Sequence, residues 1–169
     1  MARHLDLMRD TGDRLPAVDD PASYTSARIW HCKYETLQPI GTFANLTSLS
    51  IATYPDASLD LLMPLIHLNE LRITHLPKVA SLEALRELVK LRILSLATLP
   101  SWDSSGKLTV VDSLSSIASL PRLEELELFG VVTVSRSADE LLTSKSLKRV
   151  TLSKFDGASE ARIARVYAA

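Results

Sequence analysis

The stretch SLEALRELVKLRILSLATLP, residues 81–100, places an apolar residue at every third position and then switches to alternation: Leu82, Leu85, Leu88, Leu91, Leu94, Leu96. The same ladder is spelled by Leu37, Ile40, Phe43, Leu46, Leu49, Ile51, and by Leu59, Leu62, Leu65, Leu68, Leu71, Ile73. It returns as Leu114, Ile117, Leu120, Leu123, Leu126, Leu128, and in worn form as Leu141, Ser144, Leu147, Val150, Leu152. Self-similarity at a period of roughly 20–50 residues means stacked units that bury their apolar faces against one another.

The two parts of each ladder have different periods. The alternating part, such as Leu94-x-Leu96, is the pattern of a strand with one buried face. The period-three part suits 3₁₀ turns, in which residues three apart eclipse on one side. Each unit is therefore expected to be a short strand, a loop and a return segment of 3₁₀ or helical turns, with successive strands parallel. Segments 81–88 and 137–145 contain strong helix formers and read as candidate true helix, with Ser81 as N-cap of the first. Pro64 and Pro121 divide the other return segments into shorter pieces. The unit cores begin at Leu46, Leu68, Leu91, Leu123 and Leu147, so one step, of 32 residues, is longer than the others.

This pattern resembles the leucine-rich repeat family, and its regular three-residue ladder is closest to the short repeats of internalin-like bacterial proteins. The resemblance covers residues 27–155. It implies an α/β solenoid with a parallel sheet on the concave face and 3₁₀ or short α-helical segments on the convex face. The family's usual Asn or Cys after the strand is missing. That position holds Tyr54, Leu76, Leu99, Val131 and Phe155, and three of these precede Pro. A different turn is expected, packed by apolar contact and fixed by Pro. The division expected is an N-terminal cap or partly disordered segment at 1–26, about five to six repeat units at 27–155, and a cap helix or tail at 156–169. Residues 27–32 would form a degenerate first strand with Trp30 and Cys32 inward. Ile163, Val166 and Tyr167 would face the last unit.

Composition narrows the functional classes. With 46% hydrophobic residues and a net charge of −1, the chain can build a core and has no global attraction to nucleic acid or membrane. Its longest apolar run, 61–66, is far too short to span a bilayer. Residues 1–14 alternate charged and apolar residues, unlike a leader peptide. Cys32 stands alone, which fits a reducing compartment, the cytoplasm being the simplest, and argues against a thiolate metal cluster. No two of His4, His31, His67 and His75 are spaced i, i+4, and no GxSxG is present. The SSGK at 104–107 lacks the other glycines of a phosphate loop. Glu124, Glu125 and Glu127 read as a solvated acidic patch rather than a catalytic pair. No enzyme activity, cofactor or metal is expected.

Binding to another protein remains. The outward strand residues are expected to form three columns that include Ile29, His31, Arg72, Ile93, Glu125, Glu127, Phe129 and Arg149. Six strands at about 4.8 Å give a strip only ~25–30 Å wide, so loops would have to contribute to a stable interface of roughly 800 Å² per partner. The 99–108 loop in the long step offers Trp102 and Asp103 as anchors, with Trp102 either exposed or folded back into the stack. The basic last unit (Lys145, Lys148, Arg149, Lys154, Arg162, Arg165) beside an acidic penultimate one suggests electrostatic register with a protein partner, not nucleic acid. The expectation is a cytoplasmic interaction module, monomeric or weakly dimeric. Resemblance adds an immunity-type inhibitor of a toxin as one alternative, and a purely structural repeat module is the other.

Overall fold

In a computed structural model describing residues 1–167, seven parallel strands form one sheet in the order β1-β2-β3-β4-β5-β7-β9. The strands are β1 (Arg3–Met8), β2 (Tyr24–Trp30), β3 (Ser48–Ala52), β4 (Glu70–Thr74), β5 (Ile93–Ala97), β7 (Glu125–Phe129) and β9 (Arg149–Ser153). A second, two-stranded parallel sheet pairs β6 (Thr109–Val111) with β8 (Val131–Thr133). Ala168 and Ala169, part of the C-terminal segment in the sequence division, lie outside the described residues.

The return segments show why the period is three. Within three of them, a ladder residue donates its N–H to the carbonyl of the ladder residue before it. Leu85 bonds Leu82, Leu88 bonds Leu85 and Leu91 bonds Leu88, each at 3.0 Å. The same chain runs from Leu37 through Leu46 and from Leu59 through Leu68. Residues three apart stay on one side of a 3₁₀ turn, whereas an α-helix would rotate each successive leucine away from the core. The candidate helices at 81–88 and 137–145 are accordingly 3₁₀ turns at Glu83–Glu87 and Asp139–Thr143: burial of the ladder overrides helix propensity. Ser81 bonds the Glu83 N–H at 3.3 Å rather than capping a helix. One α-turn, α2 (Ser115–Ala118), occurs in the return segment after the long step.

The turn that replaces the Asn loop is built on left-handed backbone. Arg9, His31, Thr53, His75 and Lys154 follow β1, β2, β3, β4 and β9 with φ between 51° and 70°, and Gly130 follows β7 at 69°. Positive φ is uncommon for non-glycine residues and exceptional for a β-branched one such as Thr53. The backbone hydrogen bonds here repeat. His31, Thr53 and His75 donate their N–H to Ala52, Thr74 and Ala97 carbonyls at 2.7–3.0 Å, extending the ladder one bond beyond the strands. The next residue then turns inward: Tyr54, Leu76, Val131 and Phe155 are buried, in the apolar packing expected for this turn. Tyr54 N–H bonds the His75 carbonyl at 2.8 Å, so backbone from the neighbouring unit supplies the missing partner.

Two features of the ends differ from expectation. Residues 3–8 are a strand of the sheet, making seven strands rather than six. Strand β2 is also displaced by three residues from the expected register, in which Trp30 and Cys32 stand beside Leu49 and Ile51. Ala27 pairs with Leu49 and Ile29 with Ile51, so Ala27 and Ile29 point inward and Trp30 outward. A slip by an odd number of residues exchanges the faces of a strand. Cys32 is buried but lies beyond the strand, in the turn. At the other end, α3 (Gly157–Val166) is capped by Asp156, whose carboxylate accepts the Ser159 N–H at 2.8 Å. Its Ile163 and Tyr167 are buried, and Tyr167 donates to the Leu141 carbonyl at 2.7 Å. Val166 is 60% exposed and does not face the last unit, because the buried stripe is the narrow row Ser159, Ile163, Tyr167, four residues apart, and Val166 lies beside it.

Candidate binding surface

Strand register sorts the outward side chains into three columns. The first runs His4, Ser26, Ser48, Glu70, Ile93, Glu125, Arg149, and the second Asp6, Arg28, Ser50, Arg72, Ser95, Glu127, Thr151. The third runs Met8, Trp30, Ala52, Thr74, Ala97, Phe129, Ser153. Of the expected positions, Arg72, Ile93, Glu125, Glu127, Phe129 and Arg149 lie on this face. Ile29 does not: it is 2% exposed, because the register of β2 points it into the core. His31 is not on the face either; it sits past the strand end in the left-handed turn. Asp6 and Met8 of β1 and Arg28 and Trp30 of β2 occupy the face instead; the first two fall in the segment expected as a cap, and the register shift of β2 hid the others.

The charges on this face are largely matched within the chain. Arg72 contacts Glu70 at 2.6 Å and Glu127 at 3.5 Å, and Arg149 contacts Glu125 at 3.2 Å. Arg28 clasps Asp6 with two bonds at 2.9 and 2.7 Å, which lowers the Asp6 pKa. Glu125 and Glu127 thus each face an arginine, an arrangement for electrostatic recognition rather than for a shared proton. Among the described residues no three His, Cys, Asp or Glu side chains converge as a metal site requires, and no helix is long and apolar enough to cross a membrane.

The 99–108 segment is ordered by its own contacts. It forms α1 (Pro100–Ser105), which ends at Gly106 with φ 74°. Trp102 is half-buried, folded back edge-on against the His75 ring at 4.9 Å between centroids. Lys107 lies over its indole at 5.9 Å. Asp103 is exposed and pairs with Lys154 at 3.2 Å. Since Lys154 directly follows β9, α1 reaches from the end of β5 across the end of β7, where Phe129 is 38% exposed. Trp102, Asp103 and Phe129 therefore share one rim of the sheet.

His31 and His75 belong to one column of turn residues, flanking Thr53. His31 Nδ1 bonds Thr53 Oγ1 at 3.0 Å, whereas His75 Nδ1 is buried without a partner. Burial, and then the charge of His31, hold the His75 pKa below the usual histidine range. The folded state thus binds fewer protons than the unfolded chain as pH falls through about 6.5, the ordinary histidine value. His75 contributes stability above that value and loses it below. The melting temperature is expected to fall between pH 7.5 and 5.5, and the fall should shrink in His75→Asn, whose short side chain tolerates positive φ. Equal slopes for both proteins in a pH series of thermal melts would remove His75 as the cause.

No family model and no curated protein matches the sequence. Solved structures do. An internalin of Listeria monocytogenes, inlF, aligns over 96% of this chain and 52% of its own, at 16% identity and a TM-score of 0.53. Internalin C2 of the same organism aligns over 78% of this chain and 62% of its own, at 20% identity and a TM-score of 0.48. The chain therefore spans about half to three fifths of the length of these structures. The likeness to inlF shows the fold: an internalin-type leucine-rich repeat solenoid of the α/β class.

Proposed function

We propose that this protein is an interaction module that grips a protein partner at the rim where the sheet meets α1. The observation that carries this reading is the placement of Phe129, a solvent-exposed aromatic separated from Trp30 and Met8 of its column by the small residues Ala52, Thr74 and Ala97, on the same rim as Trp102 and Asp103. Aromatic anchors within a polar surround are the usual energetic centre of a protein interface. The internalin-type fold supports the same class of function. Rigidity adds to it: the ladder bonds leave the strands little freedom to lose on binding. The lone buried Cys32 fits a protein of a reducing compartment such as the cytoplasm. Segments 1–26 and 156–167 act in this reading as the ends of the same module, and a monomer or weak dimer is its working form.

The matched charges of the strand face favour a second reading, a structural repeat module with no partner of its own, since Arg72, Glu127, Arg149 and Glu125 already satisfy one another. Affinity capture from the source organism separates the two. The wild-type chain should retain a specific protein at physiological salt, and Phe129→Ala and Trp102→Ala should each weaken capture, by about tenfold or more for an interface anchor. Phe129→Ala should leave melting unchanged, while Trp102→Ala should cost some stability because Trp102 covers His75. Equal capture by all three proteins would remove the rim as the binding surface.

A further inference from the structure

On the opposite edge of the sheet, where return segments enter the strands, three units build a cationic trough. A cavity of about 510 Å³ is lined by Arg92, Pro121, Arg122, Glu124, Lys145 and Lys148, with Ser146 between the lysines. A second cavity of about 420 Å³ shares Pro121, Lys145 and Ser146 and continues it toward the convex side. Four cations stand here against one carboxylate, in a chain whose net charge is −1. Glu124 is already committed to Arg92 at 3.1 Å and Lys148 at 3.4 Å. Among the described residues, the side chains of Arg122 and Lys145 form no ion pair or hydrogen bond.

Along the same edge the preceding units carry an apolar row, next to Lys90, whose ammonium is held by His67 at 2.8 Å. Ile66, Val89 and Pro121 each follow a buried ladder residue (Leu65, Leu88, Leu120) and so hold corresponding positions, with Lys145 next in the row. Ile66 is 49% and Val89 47% exposed, and Met63 at 39% flanks them. The row thus passes from apolar to cationic over three unit spacings, about 15 Å, the reach of about four to five extended residues.

We propose that this edge docks an acidic segment of a partner protein, its apolar residues on Ile66 and Val89 and its carboxylates on Arg122 and Lys145. Carboxylates fit the unpaired guanidinium and ammonium, and apolar side chains fit the uncharged half of the row. A nucleic acid fits less well. The trough offers no aromatic ring for base stacking, and a longer polyanion would run against Glu124, Glu125 and Glu70. The surface is separate from the Phe129 rim, so its fate can be read independently.

The test is titration of the labelled full chain, followed by amide NMR, with a synthetic peptide carrying leucines in its first half and glutamates in its second. Saturable shifts should centre on Ile66, Val89, Arg122 and Lys145. Binding should weaken as ionic strength rises, since the cations are open to solvent. Arg122→Glu/Lys145→Glu should lower the affinity by about tenfold or more, Val89→Ser should lower it to a lesser degree, and Lys78→Glu, away from the trough, should leave it unchanged. Phe129→Ala should also leave it unchanged, which separates this proposal from the rim reading. Absence of saturable shifts, shifts centred on the strand face, equal affinity in the charge-reversed variant, or tighter binding of a single-stranded oligonucleotide would each overturn it.

Discussion

Leu94→Ala should lower the free energy of unfolding by about 2–5 kcal/mol, the range for deleting a buried leucine side chain. Leu94 has no exposed surface and occupies β5, with Leu71 and Leu126 as its register partners on either side. A cavity at this position therefore opens into both inter-unit interfaces. The surrounding 3₁₀ segments are tied residue to residue by their own hydrogen bonds, so the site cannot easily collapse around the gap. For a domain whose total stability is of order 5–15 kcal/mol, the loss is a large share. In a solenoid it has a second consequence, because stability is carried by contacts between neighbours. Weakening the central interface should uncouple the two halves and broaden the denaturant transition, seen as a smaller apparent slope. A midpoint and slope equal to wild type would mean that Leu94 does not sit in the stack.

Gly130→Ala should be comparably severe, for a different reason. At Gly130 the chain leaves β7 with φ 69° and passes directly into β8 of the second sheet. A Cβ there would lie well inside van der Waals contact distance of Thr98 Oγ1 and 3.1 Å from its Cγ2. Thr98 is buried and is held by its N–H bond to the Phe129 carbonyl at 2.8 Å, so it cannot step aside. The cost adds a left-handed alanine, about 1–2 kcal/mol, to the strain of the overlap. Gly130→Ala introduced into a Thr98→Ala background should cost less than in wild type, since the hydroxyl and methyl are gone, and a double-mutant cycle of melting or denaturant data measures the difference. Strict additivity would show that the overlap is not the cause. The turns after β2, β3 and β4 carry His31, Thr53 and His75 at similar φ, so only at Gly130 does close approach, and not the dihedral alone, exclude a side chain.

Much of the architecture was legible because one constraint writes two periods. Burial on a 3₁₀ return leaves a trace every three residues, and burial on a strand leaves one every two, so β3, β4, β5, β7 and β9 and their outward columns follow from the ladders alone. The first strands were misread where size was trusted over spacing. Trp30 and Cys32 are the large or soft residues near the expected strand, yet the 22-residue step back from Leu49 and Ile51 leads to Ala27 and Ile29, and a further step leads to Leu5 and Leu7. The identity of the helical segments was hidden by propensity, which favours α-helix at 81–88 and says nothing about what the leucines must face. The environment of Trp102 depends on His75, a residue from a different unit, and no local pattern encodes that contact. The trough is hidden for the same reason: Arg92, Arg122 and Lys145 come from three units and look like ordinary surface charges until the stack brings them together.

The positive-φ residues Arg9, His31, Thr53 and His75 recur every 22 residues, and their backbone bonds link each unit to the next in the same way. Such a chain tolerates changes in length only where a loop outside the ladder takes them up, as in the 23-residue step from Leu71 to Leu94. Inserting or deleting a single residue inside a ladder would rotate the leucines that follow it in that unit out of their columns, whereas gain or loss of a full 22-residue block keeps each donor opposite its acceptor. The early half of the molecule behaves as a ruler with fixed graduations, and the 32-residue step shows how an irregular length was absorbed. The surplus is spent outside the ladder, on α1 and the second sheet, and the sheet itself resumes in register at β7.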